Sequence, residues 1–247
     1  MRLKGGFEAK IGVFRPILLC LGLLTICAVV FVSYPGLDLA VSGLFYAPES
    51  GFYWGQSLPV VVIRQLGMWI TGATIAGLIG LGLWWRLRPE VVASWPSVTP
   101  WADWLFIAAG MALGPGVLVN LIFKPVWGRA RPRHIEQFGG HDHFTAAWVM
   151  TDQCKWGCSF VSGEAAASAS ILAFCFVVPR PWRMPMLVVG CLITLAVSFA
   201  RLAAGGHFLS DVVTAWLLTL LLMLVLRAQI FHGALLGPLK RWLPTGQ

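Results

Sequence analysis

Three short polar clusters stand at the ends of hydrophobic stretches in this chain of 247 residues. The first cluster contains two cations, the second a serine beside a glycine and an acid, and the third a cation with a histidine near an acid. The clusters are Lys124 with Arg131; Ser162, Gly163 and Glu164; and Arg201, His207 and Asp211. A phosphoryl group in transfer spreads charge over three equatorial oxygens, which converging cations stabilise. Together the clusters predict phosphoryl transfer to a histidine, without a metal ion or another cofactor.

The third cluster contains the candidate nucleophile. Asp211 follows His207 by four residues, which is one turn if both lie on a helix. A carboxylate there can accept the proton of one ring nitrogen, which leaves the other nitrogen free to attack phosphorus. An acid favoured by the helix dipole would explain the same spacing. Charged groups in membrane spans are costly and usually functional, which favours the nucleophile.

Cations from two clusters are the candidate phosphate ligands. Arg131 and Arg201 can each donate two hydrogen bonds to a phosphate, while Lys124 acts as a point charge. Interfacial anchoring is the alternative for Lys124 and Arg131. The neighbouring Arg129 and Arg133 are expected to contact lipid head groups or to have a structural role.

The middle cluster immediately precedes an apolar stretch. Ser162 is a good helix N-cap and Gly163 exposes its backbone N–H, so the pair predicts an anion site at a helix N-terminus. Capping alone is the alternative. Glu164 fits either an acid in the first helical turn or a proton donor to the leaving group.

Composition assigns these clusters to a membrane protein. The chain is 58% hydrophobic and 11% charged, which is typical of polytopic membrane proteins. A spanning helix needs about 20 residues. Six apolar stretches approach that length, and the last three are marginal: 16–34, 65–85, 104–123, 160–178, 182–200 and 208–226. We predict one all-α domain over 1–247, with six transmembrane helices and active-site segments 124–132, 159–164 and 201–211 at one end.

The basic residues predict the orientation of the bundle. With six spans, one side holds both termini and most of the 18 lysines and arginines. These are Arg2, Lys4, Lys10, Arg15, Arg86, Arg88, Arg180, Arg183, Arg227, Lys240 and Arg241. Positive residues stay cytoplasmic, so both termini are predicted inside and the clusters at the outer face. The same bias explains most of the net charge of +8, so nucleic-acid binding is not predicted.

Two further segments lie on the predicted outer side. Residues 35–59, with Asp38 and Glu49, are expected to follow the membrane interface, either as a plain connecting loop or as a route for substrate. Cys154 and Cys158 lie in the long loop 124–159, where an oxidising compartment would permit a disulfide. A disulfide is favoured over a zinc site, which needs more ligands than this pair.

The three clusters resemble the tripartite signature of the type-2 phosphatidic acid phosphatase superfamily. Lys124 with Arg131-Pro132, and Arg201 with His207 and Asp211, match it in residue and spacing, although Ala200 replaces a usual serine. The middle motif departs, because Glu164 stands where the family has a histidine that protonates the leaving oxygen. Three alternatives follow: Glu164 is the acid, His141 or His143 supplies the proton, or the leaving group needs little help.

The resemblance implies a metal-independent lipid phosphatase of the bacterial inner membrane, with its site on the periplasmic face. His207 would form a phosphohistidine oriented by Asp211, and Lys124, Arg131, Ser162, Gly163 and Arg201 would bind phosphate. Lipid A is the favoured substrate. Undecaprenyl diphosphate, phosphatidylglycerophosphate and transfer to a lipid acceptor are alternatives. Two non-enzyme alternatives are a catalytically silent lipid-binding scaffold and a transporter. Neither the lipid nor the oligomeric state follows from the sequence.

Overall fold

The computed structural model of the chain describes residues 2–93 and 99–233, and the side chains of 12–92 and 99–233. Lys240 and Arg241 lie outside the described residues, as do the side chains of Arg2, Lys4 and Lys10. The described chain is built from helices, which confirms the all-α prediction. They are α1 (Arg2–Ser33), α2 (Gly36–Gly43), α3 (Leu58–Leu87), α4 (Pro89–Ala93), α5 (Pro100–Met111), a π-helix (Ala112–Phe123), α6 (Lys124–Trp127), α7 (Gly163–Ser170), α8 (Phe174–Val177), α9 (Arg180–Ala203) and α10 (Leu209–His232).

Each of the six predicted apolar stretches contains a helix, although residues 160–162 of the fourth precede theirs. Five helices are long and apolar enough to cross a membrane: Gly12–Ser33, Leu58–Leu87, Pro100–His134, Arg180–Ala203 and Leu209–His232. The fourth stretch forms the shorter apolar helix Gly163–Val177, which does not reach 18 residues. The chain is therefore a multi-pass membrane protein with five such helices among its described residues, and the sixth crossing stays a prediction.

Two helices extend beyond their predicted apolar stretches and include charged residues. Helix α3 starts at Leu58, seven residues earlier than predicted, with Pro59 in its first turn. Arg64 therefore lies inside the helix instead of before it. The third helix continues through α6, so Lys124 belongs to it as well. Long basic side chains reach the interface from inside a span, which makes such extensions compatible with a membrane.

The third span contains a π-helix that ends directly before Lys124. Pro115 lies inside it and has no backbone N–H to donate. The Asn120 amide donates to the Pro115 carbonyl at 2.7 Å, which satisfies an acceptor in the widened turn. Long π-helices are rare, and π turns often occur at functional sites.

Small residues bring α7 and α10 close together. Ala165 and Ala166 of α7 and Ala215 of α10 are all 0% exposed in one buried cluster. Because alanine side chains are short, the two backbones can approach, and the Ser162 N–H donates to the Asp211 carbonyl at 3.2 Å. The middle and third clusters are thereby joined at one end of the bundle.

The stretch 35–59 is not a plain interfacial loop, contrary to the first expectation. It contains α2 and a 3₁₀ turn at Tyr53–Gln56, and Asp38 is fully buried beside α10. A buried carboxylate must find hydrogen-bond donors, and Asp38 finds them in Arg129 and Ser210. This stretch is therefore part of the site end of the bundle.

Candidate active site

A tight turn between α9 and α10 holds His207. The link is short, as the predicted stretches 182–200 and 208–226 require, since α9 ends at Ala203 and α10 begins at Leu209. Gly205 has a φ of +58°, and a Cβ on it would lie 2.5 Å from the Phe52 ring, so the turn requires glycine there. His207 lies before the helix, in contrast to the predicted shared helical face with Asp211. Its side chain is 2% exposed.

One ring nitrogen of His207 is held by a backbone carbonyl. Nδ1 lies 2.8 Å from the Ser159 carbonyl oxygen, but 3.6 Å from Oδ2 of Asp211. Since a carbonyl can only accept, this contact places the proton on Nδ1 and the lone pair on Nε2. The tautomer is the one expected for a nucleophile. The direct hydrogen bond predicted from Asp211 is replaced by one to Ser159, which the sequence did not single out.

Burial keeps this imidazole neutral. Desolvation lowers the pKa of His207 to about 4, and the contact with Asp211 opposes that shift without cancelling it. An uncharged imidazole is the form that can attack phosphorus. The geometry and the electrostatics therefore favour the same protonation state.

Asp211 acts on the histidine through Ser159. Its carboxylate accepts hydrogen bonds from the Ser159 hydroxyl, from the Phe208 N–H at 2.8 Å and from Arg129 at 2.6 Å. The Phe208 contact is that of an acid in the first turn capping α10. Asp211 thus fixes Ser159 and the turn, and Ser159 in turn holds His207.

Arg129 is the counter-ion of Asp211 and not a lipid head-group ligand. It is 0% exposed and bridges Asp211 to Asp38, at 2.6 and 2.9 Å. Its guanidinium lies 4.2 Å from the Phe208 ring centroid and donates to the Thr145 carbonyl at 2.8 Å. Of the two expected roles, the structural one is confirmed and the head-group one is wrong. Two buried acids need a buried cation, but the sequence did not show that Asp38 and Asp211 are neighbours.

The Lys124 amine meets the N-terminus of α7. A Cβ added to Gly163 would lie 3.2 Å from Lys124 Nζ and 3.3 Å from Asn120 Oδ1, so this glycine leaves room for both groups. Ser162 is the N-cap, and its hydroxyl accepts from the Ala165 N–H at 3.3 Å. A cation and a helix N-terminus face each other here, which is an arrangement that attracts anions.

Arg131 is oriented by the outer loop. Its Nε donates to the Gly157 carbonyl at 2.7 Å. Gly157 lies between Cys154 and Cys158, which the structure joins in a disulfide with Cα atoms 5.5 Å apart. The short disulfide loop therefore presents the carbonyl that holds Arg131. The Arg133 side chain is exposed and its described hydrogen bond goes to the adjacent His134 side chain, while its backbone N–H donates to the Gly205 carbonyl at 3.1 Å.

Two of the predicted site residues pair with each other. Arg201 is 3% exposed, and its Nη1 lies 3.2 Å from Oε1 of Glu164, whose side chain is 28% exposed. Arg64 of α3 approaches the other carboxylate oxygen, with Nε 3.9 Å from Oε2. Arg64 was not among the predicted site residues. Its charge directly before the apolar stretch 65–85 was the available signal, but nothing in the sequence related it to Glu164.

The alternative proton donors lie at the surface of the outer loop. His143 is 77% exposed and forms an ion pair with Glu136 at 3.1 Å. His141 is also exposed. The structure gives neither side chain a contact with His207 or Glu164.

An apolar groove of about 550 Å³ runs from the polar cluster along α3 and the π-helix. Lys124, Gly163 and Glu164 line one end of it, and residues such as Met68, Ile75 and Met111 line the rest. The arrangement offers cations and a helix N-terminus for a phosphate, a neutral imidazole for attack on phosphorus, and an apolar wall for a hydrocarbon chain.

Three curated relatives are similar to this chain, and each is named lipid A 4'-phosphatase. The protein of Rhizobium leguminosarum is 38% identical over 128 residues, 51% of this chain and 55% of that protein. The Rhizobium etli protein is 38% identical over 118 residues, which are 48% and 46% of the two chains. The protein of Francisella tularensis subsp. novicida is 38% identical over 109 residues, 44% and 49%. The chain spans about half the length of these relatives.

The match to a family is broader. No solved structure matches the chain. Residues 103–233, from the start of the third long helix to the end of α10, match the PAP2 superfamily, and this region contains all eight predicted site residues. With more than half of its length covered by that match, the chain belongs to the PAP2 superfamily.

Proposed function

We propose that this protein is a membrane lipid phosphatase that hydrolyses a phosphomonoester of an envelope lipid, with lipid A as the first candidate. The observation that carries the proposal is the Ser159 carbonyl 2.8 Å from His207 Nδ1, because it leaves Nε2 unprotonated in a ring that feels the charges of Arg201 and Arg131. The names of the three relatives support lipid A as substrate and the 4'-phosphate as the group removed.

The proposed reaction has two steps. His207 Nε2 attacks phosphorus, the P–O bond to the lipid breaks, and the lipid oxygen takes a proton to leave as an alcohol. Water then gives a proton to the Glu164 carboxylate and attacks the phosphohistidine, the P–N bond breaks, and inorganic phosphate leaves with His207 restored. Lys124, Arg131 and Arg201, with the N-terminus of α7 at Ser162 and Gly163, stabilise the charge on the transferring group.

Glu164 is the proposed donor of the proton to the leaving oxygen. It occupies the position of the family's histidine, and its carboxyl group borders both the cations and the apolar groove. In the site without substrate this group is an ionised carboxylate paired with Arg201. A bound phosphate monoanion must therefore break that pair and supply the proton that Glu164 passes to the leaving oxygen. The exposed His141 and His143 have no comparable position.

The bilayer holds the phosphate group of a lipid substrate at a depth that the site can reach. A lipid phosphate lies at the membrane interface, and the clusters lie at the ends of the long helices, where such a group can reach them. We propose six crossings, with Gly163–Val177 as the fourth, both termini cytoplasmic and the site on the periplasmic side of the bacterial inner membrane.

Phosphate release from defined lipids tests the proposed function. Purified protein in detergent with EDTA is expected to release phosphate from lipid A carrying only the 4'-phosphate, and not from lipid A carrying only the 1-phosphate. Undecaprenyl diphosphate, phosphatidylglycerophosphate and phosphatidic acid complete the panel. Activity that requires a metal ion would contradict the metal-free part of the mechanism.

His207→Asn and His143→Asn form the matched pair of variants. The first is expected to abolish release and the second to retain it, because His143 is exposed in the loop. A ³²P label that is stable in base, labile in acid and absent from His207→Asn identifies the phosphohistidine. Release by His207→Asn at the wild-type rate would refute the assignment of the nucleophile.

A further inference from the structure

Arg64 reaches the polar cluster from a helix outside the part of the chain that matches the family. That match covers residues 103–233, whereas α3 spans Leu58–Leu87. Close packing of α3 on α9 brings the arginine there, since a Cβ on Gly67 would lie 2.8 Å from Val197 Cγ2. Gly67 is one turn after Arg64 and Val197 one turn before Arg201, so this contact aligns the two arginines.

The Glu164 carboxylate lies between these two arginines and is closer to Arg201 than to Arg64. Its Oε1 lies 3.2 Å from Arg201, within hydrogen-bond reach, while its Oε2 lies 3.9 Å from Arg64. The second distance is that of an ion pair without a hydrogen bond. The carboxylate therefore forms its closer ion pair with Arg201, which is also a proposed phosphate ligand.

Three buried polar atoms of this group lack hydrogen bonds in the described part of the chain: Arg64 Nε, Glu164 Oε2 and Arg201 Nε. Each unmet bond of a buried charged group costs free energy. A purely structural salt bridge would give each of these atoms a hydrogen-bond partner, as the network of Arg129 with Asp38 and Asp211 does for its own atoms. The triad of Arg64, Glu164 and Arg201 is thus an incomplete arrangement that a ligand can complete.

A phosphate that binds Arg201 must compete with the Glu164 carboxylate, because both are anions that use the same guanidinium. A small shift of Glu164 would shorten its 3.9 Å contact to Arg64 into a hydrogen bond. The carboxylate would then stay beside the phosphate without blocking its ligand.

We propose that Arg64 is a positioning residue that takes the Glu164 carboxylate from Arg201 when a phosphate binds. This inference rests on the proposed function, since it requires that the site bind phosphate. It assigns to α3 a part in the chemistry that no motif of the sequence marks, and it pairs Arg64 with Glu164, which stands where the family resemblance expects a histidine.

Titration of inorganic phosphate into four full-length proteins in detergent tests the proposal: wild type, Arg64→Gln, Glu164→Gln and the double variant. With Glu164 present, Arg64→Gln is expected to weaken phosphate binding roughly ten-fold or more, because the carboxylate then stays on Arg201. With Gln at 164, the same change is expected to weaken binding less than about three-fold. Arg64→Lys is expected to retain most of the affinity.

Arg133→Gln is the matched control, since it removes one exposed positive charge near Arg131 without a described contact to Glu164. It is expected to have the same small effect in both Glu164 backgrounds. Equal weakening by Arg64→Gln in both backgrounds would show that Arg64 binds phosphate directly and would overturn the proposal, and so would equal affinity of all four proteins. Absence of phosphate binding by the wild type would instead overturn the proposed function together with this inference. Thermal unfolding of each variant separates these results from misfolding.

Discussion

His207 is held by a backbone atom, and this choice of partner has chemical consequences. The Ser159 carbonyl fixes the Nδ1 tautomer without placing a full negative charge at hydrogen-bond distance from the ring. The carboxylate of Asp211 is beyond hydrogen-bond distance of the ring, at 3.6 Å from Nδ1, and accepts a hydrogen bond from the Ser159 hydroxyl instead. A carboxylate in direct contact stabilises an imidazolium, whereas a buried ring held by a carbonyl stays neutral. At the scale of single residues, the site is thus built to keep its nucleophile uncharged.

The first prediction concerns the titration of His207. Because burial lowers its pKa to about 4, the ring is expected to stay neutral at pH values where an exposed histidine, with a pKa of about 6.5, is already protonated. Histidine-selective ¹⁵N NMR of the protein in detergent measures this, with His207→Asn to assign the signal. A midpoint near 6.5 would contradict the buried, neutral ring.

The sign of the linked stability effect follows from the same shift. Between pH 6.5 and 4 the unfolded chain binds a proton at this histidine and the folded protein does not, so acidification favours unfolding over that range. This contribution to stability is present above pH 6.5. His207→Asn is expected to flatten the pH dependence of the melting temperature there.

The second prediction concerns the space beside Arg201. A Cβ on Gly206 would lie 2.7 Å from Arg201 Nη2 and 2.9 Å from Cζ, so Gly206→Ala is expected to displace the guanidinium. Because the end of a flexible side chain can move, stability should change little. Loss of a charge-assisted hydrogen bond should lower kcat/KM roughly ten- to hundred-fold.

Gly77→Ala in α3 is the control for Gly206→Ala, since nothing lies within 4 Å of its added Cβ. Steady-state kinetics on the lipid that the phosphate-release panel selects compares the two variants. Wild-type kinetics for Gly206→Ala would show that Arg201 does not need its present position.

The N-terminus of α10 organises the surrounding elements. Asp38 of α2 accepts hydrogen bonds from the Ser210 N–H at 2.9 Å and from Arg129 at 2.9 Å, and Arg129 binds Asp211 of α10. The loop after α6, the short helix α2 and the first turn of α10 are thereby tied into one buried network. At the scale of elements, this network sets the position of the turn that contains His207.

The third prediction tests this network through Arg129. Arg129→Gln leaves two buried carboxylates without their cation, and breaking a buried pair in this way costs about 3–5 kcal/mol. The melting temperature in detergent is therefore expected to fall, together with activity. Adding Asp38→Asn should recover part of the loss, because it removes one of the unpaired acids.

Arg133→Gln serves as the control for Arg129→Gln. This arginine is exposed, and surface substitutions usually change stability by less than about 0.5 kcal/mol. An unchanged melting temperature for Arg129→Gln would mean that the buried network contributes little to the fold.

At the scale of the whole molecule, the polar clusters share one end of a helical bundle. The N-terminus of α7, the turn before α10 and the end of the third long helix meet there. The alternation of six crossings predicts this meeting, although α7 and α8 together are shorter than a usual span. The apolar groove along α3 leads to this end and is the route that we propose for a lipid.

The fourth prediction tests the orientation of the bundle. Met150 is 61% exposed in the loop near the clusters, and Arg88 is exposed at the opposite end of α3. In spheroplasts, Met150→Cys is expected to react with a membrane-impermeant maleimide, and Arg88→Cys only after permeabilisation. The parent chain is the control, since its free cysteines Cys20, Cys27, Cys175 and Cys191 lie within helices. The reverse pattern of labelling would place the site in the cytoplasm.

The sequence by itself determined the properties that depend on residue type and local order. Apolar composition requires membrane helices, and the cations, the histidine and the glycines of the motifs are those that phosphoryl transfer uses. The short link before α10 also followed from local order. Element boundaries were less accurate, because Arg64 and Lys124 interrupt the apolar pattern but not the helices.

Tertiary structure alone decided which charged side chains form ion pairs with each other. Arg129 binds Asp38, 91 positions away, and Asp211, 82 positions away. Arg64 likewise meets Glu164 only because α3 packs against α9. Ion pairs over such separations depend on how helices pack, and no periodicity within one helix encodes the identity of its neighbour. For that reason the partners of His207, Asp211 and Glu164 could be read only from the folded chain.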